Sequence, residues 1–152
     1  MPRTIAFAEL PQLVGSEVAV SHWFEVGQER IMAFAEATED RQWIHVDPER
    51  CARESPFGAP VAHGFLTLSL LPAMLESALA IEGMRMGLNY GLNRVRFPAP
   101  LPSGSRVRGR WLLVACDPIE GGVQLTWNVA VEPDGEGAKP VCVAEFLIRA
   151  YA

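Results

Sequence analysis

The chain has 152 residues, with 49% hydrophobic and 20% charged side chains, and 13 Lys and Arg against 18 Asp and Glu leave a formal charge of −5. That length and balance suit one globular domain over residues 1–152 and exclude disorder, collagen and coiled coil. The acidic excess argues against a nucleic-acid partner, and Cys51, Cys116 and Cys142, with no CxxC pair, read as free thiols of a reducing cytoplasm.

The first ten residues lack the apolar core of a signal peptide. Glu17 to Val26, rich in Val, Trp and Phe, predicts a first strand closed by Gly27. Gln28 to Thr38 places Ile31, Phe34, Ala35 and Thr38 at the spacing of one helix face. Pro48 starts a short helix through Glu54, and Ser55 to Pro60 is loop by its breakers. His63 to Leu79 is the longest helix candidate, apolar nearly all round and therefore expected to be central, with a kink at Pro72. Its apolar stretch, Gly64 to Met74, is interrupted by Thr67, Ser69 and Pro72 and is too short to span a bilayer, so no membrane association is expected.

From about Gly87 onward the period changes to two. Gly87 to Phe97, Val107 to Cys116, Val123 to Val131 and Val141 to Tyr151 predict four strands, with Gly121-Gly122 as a hairpin turn. The expected architecture is α+β: a meander of four or five antiparallel strands wrapped around one apolar helix.

Polar groups able to carry chemistry concentrate between Glu39 and Ser69. Asp40 and His45 lie five residues apart in a loop between helix candidates. If they converge, they can hold a water and move its proton; the alternative is that Asp40 caps a helix and His45 packs beside Trp43. Gly64 opens the long helix, where unpaired N–H groups and a close backbone approach suit a developing oxyanion; the alternative is mere helix–sheet contact. His63 reads as structural. Ser69 either lines the same cleft or bonds a carbonyl one turn earlier. Cys51 is a weak nucleophile candidate. His22, His45 and His63 are scattered, with no HExxH or cysteine cluster, so no metal is expected. Arg94 and Arg96, and Arg106, Arg108 and Arg110, stand at i, i+2 spacing on strands, either as a phosphate-binding face or as a solvated one.

The run from Phe34 to Pro48, FAEATEDRQWIHVDP, and the run from Phe57 to Ser69, FGAPVAHGFLTLS, together resemble the hydratase-2 motif of MaoC-like (R)-specific enoyl-CoA hydratases. Asn89 to Pro98, NYGLNRVRFP, is similar to the NodN-like branch. The resemblance implies a hot-dog fold, a curved antiparallel sheet around a long helix. It also implies reversible hydration of trans-2-enoyl-CoA, with Asp40 and His45 as catalytic pair and the Gly64 amide receiving the thioester oxygen. Gln42 stands where many relatives have asparagine, and Trp43 replaces a frequent proline. No cofactor is implied, because CoA is part of the substrate. Gln42, Ser69, Arg94 and Arg96 are the remaining candidates for contacts to the substrate, the arginines with the CoA phosphates. A homodimer with sites at the subunit boundary is expected. Two other readings stay open: a hot-dog acyl-CoA thioesterase, and a non-catalytic acyl-CoA-binding subunit.

Overall fold

Strict alternation in the C-terminal half builds the scaffold. In the computed structural model, which describes residues 1–152, Gly122–Pro133 forms strand β7, and its Leu125, Trp127, Val129 and Val131 are all buried. In chain order the elements before it are β1 (Arg3–Ala6), a 3-10 helix (Phe7–Leu13), β2 (Glu17–Val20), β3 (Phe24–Val26), α1 (Gln28–Thr38), α2 (Trp43–Val46), α3 (Pro48–Glu54), α4 (Gly64–Ser69), α5 (Leu71–Ala78), β4 (Leu79–Glu82), β5 (Met86–Arg96) and β6 (Ser105–Ile119). β8 (Cys142–Tyr151) completes the chain. The main sheet has six strands in the order β2-β6-β7-β8-β5, with β3 also paired to β6. All its pairings are antiparallel. The architecture is the α+β hot-dog arrangement, with α4 and α5 serving as the helix of the sheet.

Several expectations need correction. The strands do not form one meander: β6, β7 and β8 do, but β5 lies beyond β8 at the far edge. Pro98, Pro100 and Pro102 have no N–H to donate, so the chain leaves the main sheet here and makes only one isolated antiparallel bridge, Val61 with Pro102. This segment carries the chain away from β5 to β6, tying itself on the way to the α4 entrance through the Ala62 N–H, which donates to Leu101 O at 2.8 Å. The first strand is two strands. At Ser21 the hydroxyl accepts the Gly109 N–H at 2.9 Å, so a side chain takes the place of a ladder partner and the pairing breaks before β3. The hairpin turn is Glu120-Gly121, with Gly121 at φ 81°, and Gly122 already pairs with Ile119. A Cβ on Gly122 would collide with the carbonyl of Ala150.

The long helix is two helices meeting at Leu70, because Pro72 has no N–H to continue the ladder. It ends at Ala78, and Leu79 turns extended into β4. Nor is it covered all round: Leu66, Thr67, Leu71, Met74 and Ala78 are buried, but Phe65 is 68% exposed. A second sheet, unexpected from the sequence, pairs β1 with β4 in parallel.

The core lies between α4–α5 and the sheet. Trp111 and Trp127 are both fully buried and meet edge to face, ring centroids 5.8 Å apart at 85°. At Gly109 the helix comes closest: a Cβ there would stand 2.8 Å from Trp111 Nε1 and 3.2 Å from Met74 Sδ. A bulge in β6 between Leu113 and Ala115 adds local bend to the sheet.

Candidate active site

The polar segment after α1 is folded back by one backbone conformation. Ile31 and Ala35 pin α1 to the interior, and the helix ends at Glu39 with φ 63°, a left-handed turn rare for a side chain other than Gly or Asn. The next residue, Asp40, leaves the helix axis with its carboxylate exposed to solvent. Its Oδ1 receives one long contact, from the Gln42 N–H at 3.5 Å. Asp40 is therefore not a firm helix cap. That role falls to Asp47, whose Oδ1 accepts the Arg50 N–H at 3.0 Å and starts α3.

His45 sits in the single turn of α2 and is 7% exposed. Its Nδ1 lies 2.6 Å from the carbonyl oxygen of Val61. A carbonyl only accepts, so Nδ1 carries a proton, and in the neutral ring Nε2 keeps its lone pair. The His45 carbonyl in turn accepts from Gln28 Nε2 at 2.7 Å, which ties α2 to the first turn of α1. Trp43 is not the packing partner of His45; its ring faces the Arg50 guanidinium at 4.3 Å. The ring that stacks on His45 is His63, with centroids 3.8 Å apart and planes 22° from parallel. His63 Nε2–H donates to the Asp40 carbonyl at 2.9 Å. One carboxylate oxygen of Asp40 and one ring nitrogen each of His45 and His63 lie within 4.8 Å of one another. Nearly parallel stacked rings aim their in-plane lone pairs along separate lines, so they do not converge on one ion at the ~2.0–2.1 Å of a zinc–nitrogen bond.

Gly64 is the first residue of α4, and its N–H donates to no other group of the chain. The backbone there lies against an aromatic face: a Cβ on Gly64 would stand 3.0 Å from the Phe97 ring. A cavity of about 330 Å³ opens here, lined by His45, Gly64, Thr67, Phe57, Phe97 and Leu101 among others. Its wall from Phe97 to Leu101 is the segment that leaves β5.

The remaining candidates stand elsewhere. Ser69 is exposed and its hydroxyl donates to Phe65 O at 2.7 Å, so it does not line the cavity. Thr67, three residues after Gly64 and so on the same helix face, does line it, and it is buried. Gln42 is exposed just before α2, and its carbonyl accepts the His45 N–H at 3.0 Å. Arg94 lines a groove on the outer face of the sheet with Glu17, Arg110 and Glu145. Arg96 is exposed, bonded to the Val95 carbonyl at 2.7 Å. Arg106, Arg108 and Arg110 are paired with Asp134, Glu132 and Glu17, which makes them a solvated, ion-paired face. Burial pushes the Glu132 carboxyl up, but its two arginines outweigh that and hold it below the usual carboxylate range. Cys51 is buried, with Sγ 3.5 Å from two backbone carbonyls, and burial raises the Cys142 thiol to about 11.

Residues 9–132 match the family model described as the MaoC like domain. The chain belongs to the MaoC-like dehydratase family. It is 49% identical over 146 residues to 3-hydroxyacyl-thioester dehydratase Z of Mycobacterium tuberculosis, covering 95% of each chain. It is also 49% identical over 146 residues to nodulation protein N of Rhizobium leguminosarum bv. viciae, covering 94% of this chain and 89% of that one. Among solved structures, a monoamine oxidase regulatory protein from Archaeoglobus superposes with a TM-score of 0.76 at 23% identity, covering 100% and 99% of the two chains. The (R)-hydratase from A. caviae gives 0.68 at 24% identity, covering 89% and 94%. These two share the fold. The MaoC-like match spans both the Asp40–Gly64 segment and the β5–β6 passage that walls the cavity.

Two residues that contact this candidate site are not signalled by the sequence. His63 reaches Asp40 across 23 residues and Gln28 reaches His45 across 17, and no local pattern signals either contact. The only hint was the position of His63 directly before Gly64.

Proposed function

We propose that this MaoC-like protein adds water to trans-2-enoyl-CoA thioesters to give (R)-3-hydroxyacyl-CoA, and catalyses the reverse dehydration. The observation that carries this reading is the His45 ring. Its Nδ1 proton is committed to Val61 O, which leaves Nε2 of the neutral ring unengaged, and a ring nitrogen of His45 lies within 4.8 Å of an Asp40 carboxylate oxygen. Nearby stands the unpaired amide of Gly64, at the mouth of an apolar-walled cavity.

The chemistry follows from where charge moves. The β-carbon of an enoyl thioester is electrophilic because its carbonyl accepts electrons through the double bond. A water held by Asp40 and His45 gives a proton to the pair as its oxygen bonds to the β-carbon. The displaced electrons collect on the thioester oxygen, where the Gly64 N–H stabilises them. The α-carbon then takes the proton back from the pair, so one water is added and nothing else is consumed. An aimed donor at such an oxygen is worth roughly 10²–10³ in rate, and a positioned acid–base group roughly 10²–10⁴. Water held on one side of the double bond reaches one face only, so the product has one hand. We assign the (R) hand, the one carried in the name of the A. caviae neighbour. Dehydratase Z, by name, acts on the same class of thioester.

Crotonyl-CoA tests this directly. Loss of enoyl absorbance without free thiol is expected. Release of thiol would instead make the protein a thioesterase, and neither change would make it a binding subunit. Asp40→Asn is expected to lower hydration at least ~100-fold with little change in thermal stability, since the side chain is exposed. Unchanged turnover would remove Asp40 from the mechanism.

The proposal extends to a homodimer in the cytoplasm. β5 is an edge strand with Met86, Leu88, Tyr90 and Leu92 each at least 40% exposed; a bulge at Tyr90 puts Leu88 and Leu92 on opposite faces, so apolar side chains flank the free backbone groups on both sides. Three free cysteines suit a reducing compartment, and no helix is long and apolar enough to cross a membrane.

A further inference from the structure

We propose that His63 is a positioning residue that holds Asp40, His45 and the Gly64 amide in one geometry; this rests on the hydratase reading above. The geometry points to three separate attachments. Through its Nε2–H, His63 donates to the carbonyl oxygen of Asp40 at 2.9 Å. Through its ring face it stacks on the His45 imidazole at 3.8 Å. Through its peptide bond it leads directly into the Gly64 N–H.

Asp40 is loosely held without it, and the His45 ring has an anchor at one edge only. The two other hydrogen bonds at Asp40, its N–H to Thr38 Oγ1 and its Oδ1 from the Gln42 N–H, are both 3.5 Å long. The residue before it, Glu39, sits in a left-handed conformation that a side chain disfavours. The His63 bond is the short one that fixes this turn. The His45 ring is anchored at one edge by Val61 O, and the stacked face of His63 stops it tilting about that anchor. His63 is itself rigid: it is 3% exposed, and the Phe34 ring lies 4.9 Å away. Its Nδ1 is buried with no partner. A buried nitrogen left unpaired is a cost that simple space-filling would avoid with an apolar ring, so its retention fits a role for the other nitrogen.

Two variants separate the attachments. His63→Phe keeps a ring against His45 and loses the donor; His63→Gln keeps an N–H for Asp40 O and loses the ring. With crotonyl-CoA, each is expected to lower kcat at least ~10-fold while KM stays within about threefold, because His63 touches no substrate. In an Asp40→Asn background, His63→Phe is expected to add less than a threefold loss, since its action runs through Asp40. A full tenfold loss in that background, or kcat within twofold of the parent in both folded variants, would overturn the proposal. The unmodified protein supplies a check independent of activity and of variant folding. Nitrogen-15 NMR of labelled histidines should show His63 as the Nε2–H tautomer and His45 as the Nδ1–H tautomer at neutral pH. The opposite tautomer at His63 overturns the proposal whether or not the protein hydrates any thioester. Correct tautomers with no turnover of crotonyl-CoA would count against the hydratase reading and leave the His63 geometry standing.

Discussion

At Gly64 the backbone touches an aromatic ring, so the residue has no room for a side chain without a movement of Phe97. Phe97 is 39% exposed and can yield, which sets the expected cost of Gly64→Ala at the low end of overpacking, about 1 kcal/mol. Activity is more sensitive, because the same shift moves the wall opposite the amide. Gly64→Ala is expected to lower kcat about 10-fold or more, and Phe97→Leu added to it should recover most of the lost stability in thermal melts. The candidate site is legible in the sequence to the extent that its residues are local. Asp40 and His45 stand out because few other groups in that loop can move a proton. Ser69 misleads if only its distance from Gly64 is read; on a helix five residues turn it to another face, whereas Thr67, at three, faces the cavity. The contacts of His63 lie in a pairing that only the folded chain makes.

Among the elements, β6 carries the tightest constraint. At Gly109 a Cβ would press on Trp111 and Met74, both fully buried and with nowhere to go. Gly109→Ala should therefore destabilise by roughly 1–3 kcal/mol in urea unfolding, with kcat of the folded protein unchanged because Gly109 does not line the cavity. Elements with a strong period were readable: α1 runs from Gln28 to Thr38, and β7 extends the alternating run from Val123 to Val131 by a few residues. β1 was not, since only Ile5 of its four residues is buried and so short a stretch has no period. The break at Leu70 was half legible. Pro72 announced a disruption, but whether a helix bends or divides depends on what packs beneath it. The Ser21 interruption depends on Gly109, 88 residues away.

For the molecule as a whole, the open flank is β5. Its exposed apolar side chains, on both faces, and its unpaired ladder groups favour a second copy, so sedimentation should give a dimer at micromolar concentration, and Leu88→Lys with Leu92→Lys should give a monomer by charging both sides of that edge. A monomeric parent would contradict it. The position of β5 beyond β8 was not readable from order along the chain, since neighbouring strands in sequence usually pair and here the proline-rich passage separates them. One division of labour in this molecule reaches further. The stretch from Glu39 to Pro60, which holds the proposed acid–base pair Asp40 and His45, contributes no residue to the main hydrophobic core. Its hold on the scaffold is through hydrogen bonds: the Val61 N–H to Ile44 O, the Ser103 N–H to Pro60 O, and the bonds at His45 and Asp40. Substitutions there can revise what the protein transforms without undermining what keeps it folded. A lineage built on this plan is free to explore new substrates, or to let the reaction lapse, while inheriting the same durable frame.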